Sequence, residues 1–200
     1  MKKIAVTEME YNKARSVFDR VTDFLIIPSP AEEDKLATLI SREKVNYVII
    51  GIDKYTGSLY DSLHKNDVIA RFGVGHDGVD KQKATTKGIL CTNTPGALDD
   101  SVAEHTMNLI LAASRSTINL GNKMQSGIWE PSVGSELKGK KLAVIGLGPI
   151  GRRVSQIASF GFKMIVSACV VHNRDEQLMR KEYGIGKVDT NFEHLVADAD

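Results

Sequence analysis

Three glycines carry the sharpest chemical signal in the chain. Gly146, Gly148 and Gly151 lie in KLAVIGLGPIG (Lys141–Gly151), spaced G-x-G-x-x-G behind an apolar run of strand length and ahead of a stretch with helical period. Each glycine has its own task. Gly146 permits a tight turn, Gly148 lets backbone approach a pyrophosphate, and Gly151 lets helix and strand pack closely. The helix start adds unpaired N–H groups and the positive end of a dipole. Pro149 suits a first helical turn but has no N–H to donate, so Ile150 is the better phosphate donor. By itself the motif also describes a purely structural turn; the strand–turn–helix context makes it a site for a dinucleotide, NAD or NADP. Arg152 and Arg153 either reach phosphate oxygens or are two solvated arginines.

The same fingerprint calls for an acidic residue about 20 positions on, against the ribose 2′-hydroxyl. Ser167 to Arg174 hold no carboxylate, and Asp175, the first candidate, falls past the expected strand end. Asn173 and Arg174 stand where a 2′-phosphate would be met. An arginine there accommodates phosphate by charge and bidentate hydrogen bonds, which keeps NADP beside NAD. The plainer alternative is that Arg174 only begins a solvated helix.

These groups need elements to hold them. Short β-branched runs at Lys3–Thr7, Asp23–Ile27, Val45–Ile50, Val68–Phe72 and Ile89–Asn93 read as strands. Met9–Arg20, Ala31–Glu43, Tyr55–His64 and Val79–Lys87 read as helices between them. Such alternation predicts a parallel sheet covered on both faces. A long helix follows from Asp99 to about Ser116, with Asp99 or Asp100 as N-cap and Val102, His105, Thr106, Leu109, Ile110 and Ala113 along one side. A shorter helix runs to about Gln125, and Gly127–Gly139 reads as a loop. A second series then predicts strand Lys141–Ile145, helix Pro149–Phe160, strand Lys163–Val171, helix Asp175–Tyr183, strand Ile185–Val188 and helix Phe192–Ala197. The fold class is α/β in two lobes, residues 1–97 and 98–200.

Composition bounds the rest. The 200 residues hold 26 Lys plus Arg against 25 Asp plus Glu, formal charge +1, so charge drives the chain towards neither nucleic acid nor anionic membrane. No run approaches the roughly 18 apolar residues of a membrane span. The start, MKKIAVTEME, has too short an apolar stretch for a signal peptide. Cys91 and Cys169 leave one disulfide open, but a reduced, cytoplasmic chain is the simpler expectation.

Three segments together, RFGVGHDGVD (Arg71–Asp80), GILCTNTPGALDDSVAEHT (Gly88–Thr106) and SGIWEPSVGSELKGKKLAVIGLGPIGRRV (Ser126–Val154), resemble the D-isomer-specific 2-hydroxyacid dehydrogenases. The resemblance implies a flavodoxin-like substrate lobe (1–97) followed by the first half of a Rossmann dinucleotide-binding domain (98–200). It implies that the amides of Val74 and Gly75 hold a substrate carboxylate. The physics agrees, because a glycine-flanked turn leaves amides exposed and such nests bind anions; the alternative is a tight strand-end turn. Asn93–Gly96 looks like the family's hinge. The helix bearing SVAEHT would contribute to a homodimer, with Thr106 near the nicotinamide. The reaction implied is hydride transfer between NAD(P)H and a small 2-oxo acid.

The departures are as informative. The family's catalytic arginine, glutamate and histidine match no position here and are expected beyond Asp200. His64, His76, His105, His172 and His194 do not match the catalytic histidine, and His76–Asp77, being adjacent, is a poor acid–base pair. No catalytic residue is therefore expected among these residues, and the chain is expected to be C-terminally truncated and inactive alone. The helix after Gly146 reads one residue short and the next strand long, which would alter an adenosine pocket. The alternative functions are a non-catalytic dinucleotide-binding protein, like the family's C-terminal-binding corepressors, or a non-functional truncated product. The first Rossmann strand, Lys141–Ile145, is expected to keep one neighbour and show a bare edge, favouring self-association.

Overall fold

The computed structural model describes residues 1–172 and 174–200; Asn173, one of the residues expected to meet a 2′-phosphate, lies outside the described residues. The chain divides into two compact units, Met1–Ala97 and Leu98–Asp200.

The first unit contains β1 (Lys2–Thr7), α1 (Glu8–Lys13), α2 (Arg15–Phe18), β2 (Phe24–Ser29), α3 (Glu33–Glu43), β3 (Tyr47–Ile50), α4 (Ser58–Asp61), β4 (Val68–Arg71), α5 (Lys81–Lys87) and β5 (Leu90–Thr92). Its strands are all parallel, in the order β2-β1-β3-β4-β5. That is the flavodoxin-like order, whose direction of winding reverses between β1 and β3. Central strands are covered on both faces and therefore read as continuous apolar runs. Val48, Ile50 and Ile69 are buried against Leu36 and Ile40 of α3, Leu59 and Tyr60 of α4, and Ala84 of α5.

Two helices of this unit are shorter than the sequence predicts. Met9–Arg20 is broken at Ala14, which leaves helical geometry with φ −125° and ψ 29°. Within Tyr55–His64 only α4 is helical. Long-range bonds claim the rest: the Tyr55 N–H donates to Gly78 O (3.0 Å), and the Glu33 carboxylate accepts from the amides of Thr56, Gly57 and Leu59 at 3.0, 2.7 and 3.2 Å.

The second unit contains α6 (Asp99–Ser114), α7 (Thr117–Gln125), β6 (Lys141–Ile145), α8 (Pro149–Gln156), a π-helical turn (Ile157–Gly161), β7 (Ile165–Cys169), α9 (Glu176–Tyr183), β8 (Ile185–Asp189) and α10 (Phe192–Ala197). Its parallel sheet runs β6-β7-β8, so β6 is an edge strand among the described residues, as the sequence predicts. The core joins Val144, Val166, Ala168 and Ile185 to Met107, Val154 and Ala158.

Three details correct the sequence reading here. The N-cap of α6 is Leu98; Asp99 and Asp100 are already in the first turn, where their charge suits the helix dipole. The buried stripe of α6 is Ala103 and Met107, with Leu111 packed beside them, while Val102, His105 and Leu109 are exposed. The expected long strand Lys163–Val171 shrinks to β7, because Lys163 takes a left-handed conformation (φ 57°) and the backbone bends at Val171.

Candidate functional site

Two turns, one in each unit, follow strand ends with amides unused. Each is built by a different local device.

In the first unit the chain leaves β4 at Arg71 and turns through Gly73-Val74-Gly75. Gly73 sits at φ 139°, open to glycine and strained for other residues. Two carbonyls of the turn are taken: Thr94 N–H donates to Gly73 O (3.0 Å), and Asn93 Nδ2 donates to Val74 O (2.8 Å). The amides of Val74 and Gly75 donate to no acceptor among the described residues. No atom lies within 4 Å of where a Gly75 Cβ would sit, so the space above the turn is open. Arg71 folds over Gly73, its Nη1 donating to Phe72 O. Nearby, the Tyr60 hydroxyl accepts from Asp80 N–H (2.7 Å) and donates to Tyr55 O (3.1 Å), tying the chain after β3 to the chain after the turn. The sequence marks Asn93 only as part of a hinge; its role as a brace depends on where β5 ends relative to β4, which no local pattern shows.

In the second unit β6 runs into Gly146 (φ 93°), and α8 starts with Gly148 as N-cap and Pro149 at its first positions. Gly151 packs against Gly146: a Cβ there would lie 2.1 Å from Gly146 O. Gly146 and Gly148 have open space above them. Ile150 and Gly151 are in the first turn, where N–H groups have no intrahelical acceptor, and neither donates elsewhere among the described residues. A phosphate therefore fits this turn by donors, dipole and room. The depression beside it, about 490 Å³, is lined by Thr106 and Ile110 of α6, by β6 from Leu142 to Ile145, and by Gly146, Gly148 and Ile150. It follows the unpaired side of β6. Thr106 is thus beside the glycine turn, its hydroxyl donating back to Val102 O (2.8 Å).

Both arginines after the motif have partners within the chain. Arg152 Nε donates to Leu147 O (2.9 Å) and its guanidinium lies 5.6 Å from the Tyr183 ring centre; Arg153 Nε bonds Asp100 Oδ1 at 2.5 Å. Both are spent on structure, Arg152 as a brace of the glycine turn itself. Asp175, too, has a partner within the chain. It is the N-cap of α9, its carboxylate accepting from Leu178 N–H at 3.1 Å. Arg174 is exposed just before that cap.

Cys91 and Cys169 are free thiols, and burial pushes the Cys91 thiol above its ordinary range. His76 and His105 are exposed. Among the described residues no cluster of His, Cys, Asp and Glu could hold a metal ion, and no helix is long and apolar enough to cross a membrane.

Residues 4–171 match the family described as D-isomer specific 2-hydroxyacid dehydrogenase, catalytic domain. The chain is 40% identical over 137 residues to a hydroxypyruvate reductase of Thermotoga maritima, covering 67% of this chain and 44% of that protein. It is 31% identical over 186 residues to a glyoxylate reductase of Thermococcus litoralis, covering 88% and 51%. The apo structure of D-lactate dehydrogenase from Escherichia coli superposes with a TM-score of 0.79 at 21% identity, covering 99% of this chain and 63% of that one. The chain thus spans about half the length of the curated relatives it matches. With a flavodoxin-like sheet, a Rossmann-like sheet and a family match over most of its length, the chain belongs to the D-isomer specific 2-hydroxyacid dehydrogenases.

Proposed function

We propose that this chain provides the substrate-carboxylate and coenzyme-phosphate sites of an NAD(P)-dependent oxidoreductase acting on a small D-2-hydroxy acid or its 2-oxo acid. The observation that carries this reading is the pair of turns with unused amides, one after β4 and one after β6. Val74 and Gly75 donate to the carboxylate, which fixes one end of the substrate. Ile150 and Gly151 donate to the diphosphate of the dinucleotide, with Gly146 and Gly148 leaving it room and Pro149 setting the helix start. Thr106 borders the coenzyme's path. When bound, the coenzyme supplies or accepts the hydride.

No residue among these 200 is assigned as the acid–base group, so the chain alone is expected to turn over no 2-oxo acid. Arg174 is the group that would meet a 2′-phosphate, since the Asp175 carboxylate is occupied as a cap. Two free thiols fit a reducing, cytoplasmic setting. The chain is proposed to form a homodimer through the apolar groove of α7 and the segment after it, where Leu120, Met124, Ile128 and Trp129 meet and Trp129 is 81% exposed. Light scattering of the chain and of Trp129→Glu tests this; a monomer in both removes the dimer.

Calorimetry with ADP-ribose, NADH and NADPH tests the main reading. ADP-ribose is expected to bind about as well as NADH, and Arg174→Ala is expected to weaken NADPH selectively. Failure of all three nucleotides to bind overturns the coenzyme assignment. A preference of about tenfold for NADH over ADP-ribose, some 1.4 kcal/mol, would show that the nicotinamide half is also held.

A further inference from the structure

We propose that Asn93 is a positioning residue for the anion-binding turn, aiming the Gly75 N–H at the substrate carboxylate. The inference rests on the reading of Val74 and Gly75 as carboxylate donors. A trans peptide is planar, with its N–H pointing opposite to its C=O. Whatever holds the carbonyl of one residue therefore aims the amide of the next. The Gly73 carbonyl is held by Thr94 N–H at 3.0 Å, which aims the Val74 amide the other way. The Val74 carbonyl is held by Asn93 Nδ2 at 2.8 Å, which aims the Gly75 amide the same way. Both acceptors are thus drawn towards the segment after β5, and both donors are presented on the opposite side.

The two holds differ in kind. The first is backbone to backbone and survives any side-chain change at 94 other than proline. The second depends on one side-chain amide. Nothing else among the described residues bonds Val74 O. Gly75 has no Cβ and open space within 4 Å of where one would be, so the 74–75 peptide is free to rotate once Asn93 lets go. Rotation would present a carbonyl oxygen, instead of an N–H, to an incoming carboxylate. Asn93 is accordingly the residue that keeps the second donor of the site facing outward.

The test uses the full 200-residue chain, isotopically labelled, with oxalate as a non-reducible stand-in for a 2-oxo acid. It compares the unaltered chain with Asn93→Ala and with Asn93→Asp, which keeps the side-chain shape but has no N–H to donate. Oxalate is expected to shift the Val74 and Gly75 amide resonances of the unaltered chain. In both variants its affinity is expected to fall about tenfold, equivalent to some 1.4 kcal/mol. The Val74 response should persist, the Gly75 response should be lost, and the melting temperature should be unchanged. Equal oxalate affinity in all three chains, with the Gly75 response intact, overturns the proposal and leaves the anion site standing. A lowered melting temperature with both amide responses lost means that Asn93 only stitches β5 to the turn, and also overturns it. If oxalate shifts neither amide in the unaltered chain, the turn is not a carboxylate site and both readings fall.

Discussion

The turn after β4 and the turn after β6 both present free amides, but they reach that state by different routes. The turn after β6 is a local product. Its donors are free because they open a helix, and the dipole of α8 adds positive potential whatever the rest of the unit does. The turn after β4 has no helix behind it; α5 begins only at Lys81. Its donors face outward because a segment some twenty residues later, Asn93–Thr94, holds the carbonyls that precede them. One site is encoded in consecutive residues, the other in an encounter between two loops. The first should be robust to changes elsewhere and fragile at its glycines; the second should be fragile at a distance.

The largest effect expected from breaking this comparison is on ligand binding. Gly148 has open space around it, so Gly148→Asp should fold normally yet place a carboxylate against the diphosphate. Like charges in contact cost several kcal/mol, so ADP-ribose affinity should fall by roughly a hundredfold or more in calorimetry while oxalate shifts at Val74 and Gly75 stay. Loss of both ligands together would show that the two turns do not act independently.

Next comes stability. Gly151→Ala puts a Cβ 2.1 Å from the Gly146 carbonyl oxygen, backbone that cannot swing aside, whereas Gly75→Ala meets nothing within 4 Å. Overpacking of this kind costs about 1–3 kcal/mol, so denaturant unfolding should show that loss for Gly151→Ala and almost none for Gly75→Ala. Equal losses would mean that the two turns are equally crowded, against the contrast drawn here.

A smaller effect separates a cap from a ligand. Removing the N-cap carboxylate in Asp175→Ala should cost about 1 kcal/mol of stability. It should leave NADH affinity unchanged. A fall in NADH affinity without loss of stability would return Asp175 to the ribose.

The smallest effect lies next to the first turn. The Tyr55 hydroxyl is buried without a partner among the described residues, and burial, aided by the negative charge of Asp53 and Glu10, raises its pKa well above the ordinary 10.0. The folded state therefore keeps the proton that the unfolded chain gives up. Stability is full below about pH 10, the unfolded value, and declines as pH rises beyond it. Tyr55→Phe should change stability at pH 7 by less than about 1 kcal/mol, because no hydrogen bond is lost, and should flatten the alkaline decline followed by circular dichroism. A large loss at neutral pH would reveal a bound water or partner on that hydroxyl.

The alternation of β-branched runs and helical stretches was enough to give two α/β lobes, because strands covered on both faces must be apolar throughout and their crossovers must be amphipathic. The glycine turn after β6 was legible for the same kind of reason: a strand, a turn and a helix start are all written within Lys141–Gly151. Helix limits were less legible. Tyr55–His64 has helical spacing, but Glu33 and Gly78 draw its first half into loop bonds that no local pattern announces. The roles of Arg152, Arg153 and Asp175 stayed open because a charged residue near a glycine turn looks the same in sequence whether it faces a ligand or braces the backbone. Only packing decided that Arg152 holds Leu147 O and that Arg153 pairs with Asp100. The sequence by itself determined the family, the two sheets and the glycine turn, since each rests on residues close together in the chain. The tertiary structure alone decided which way the donors face, because an amide points opposite to the carbonyl of the residue before it, and for Val74 and Gly75 those carbonyls are held by Thr94 and Asn93 arriving from the far side of β5.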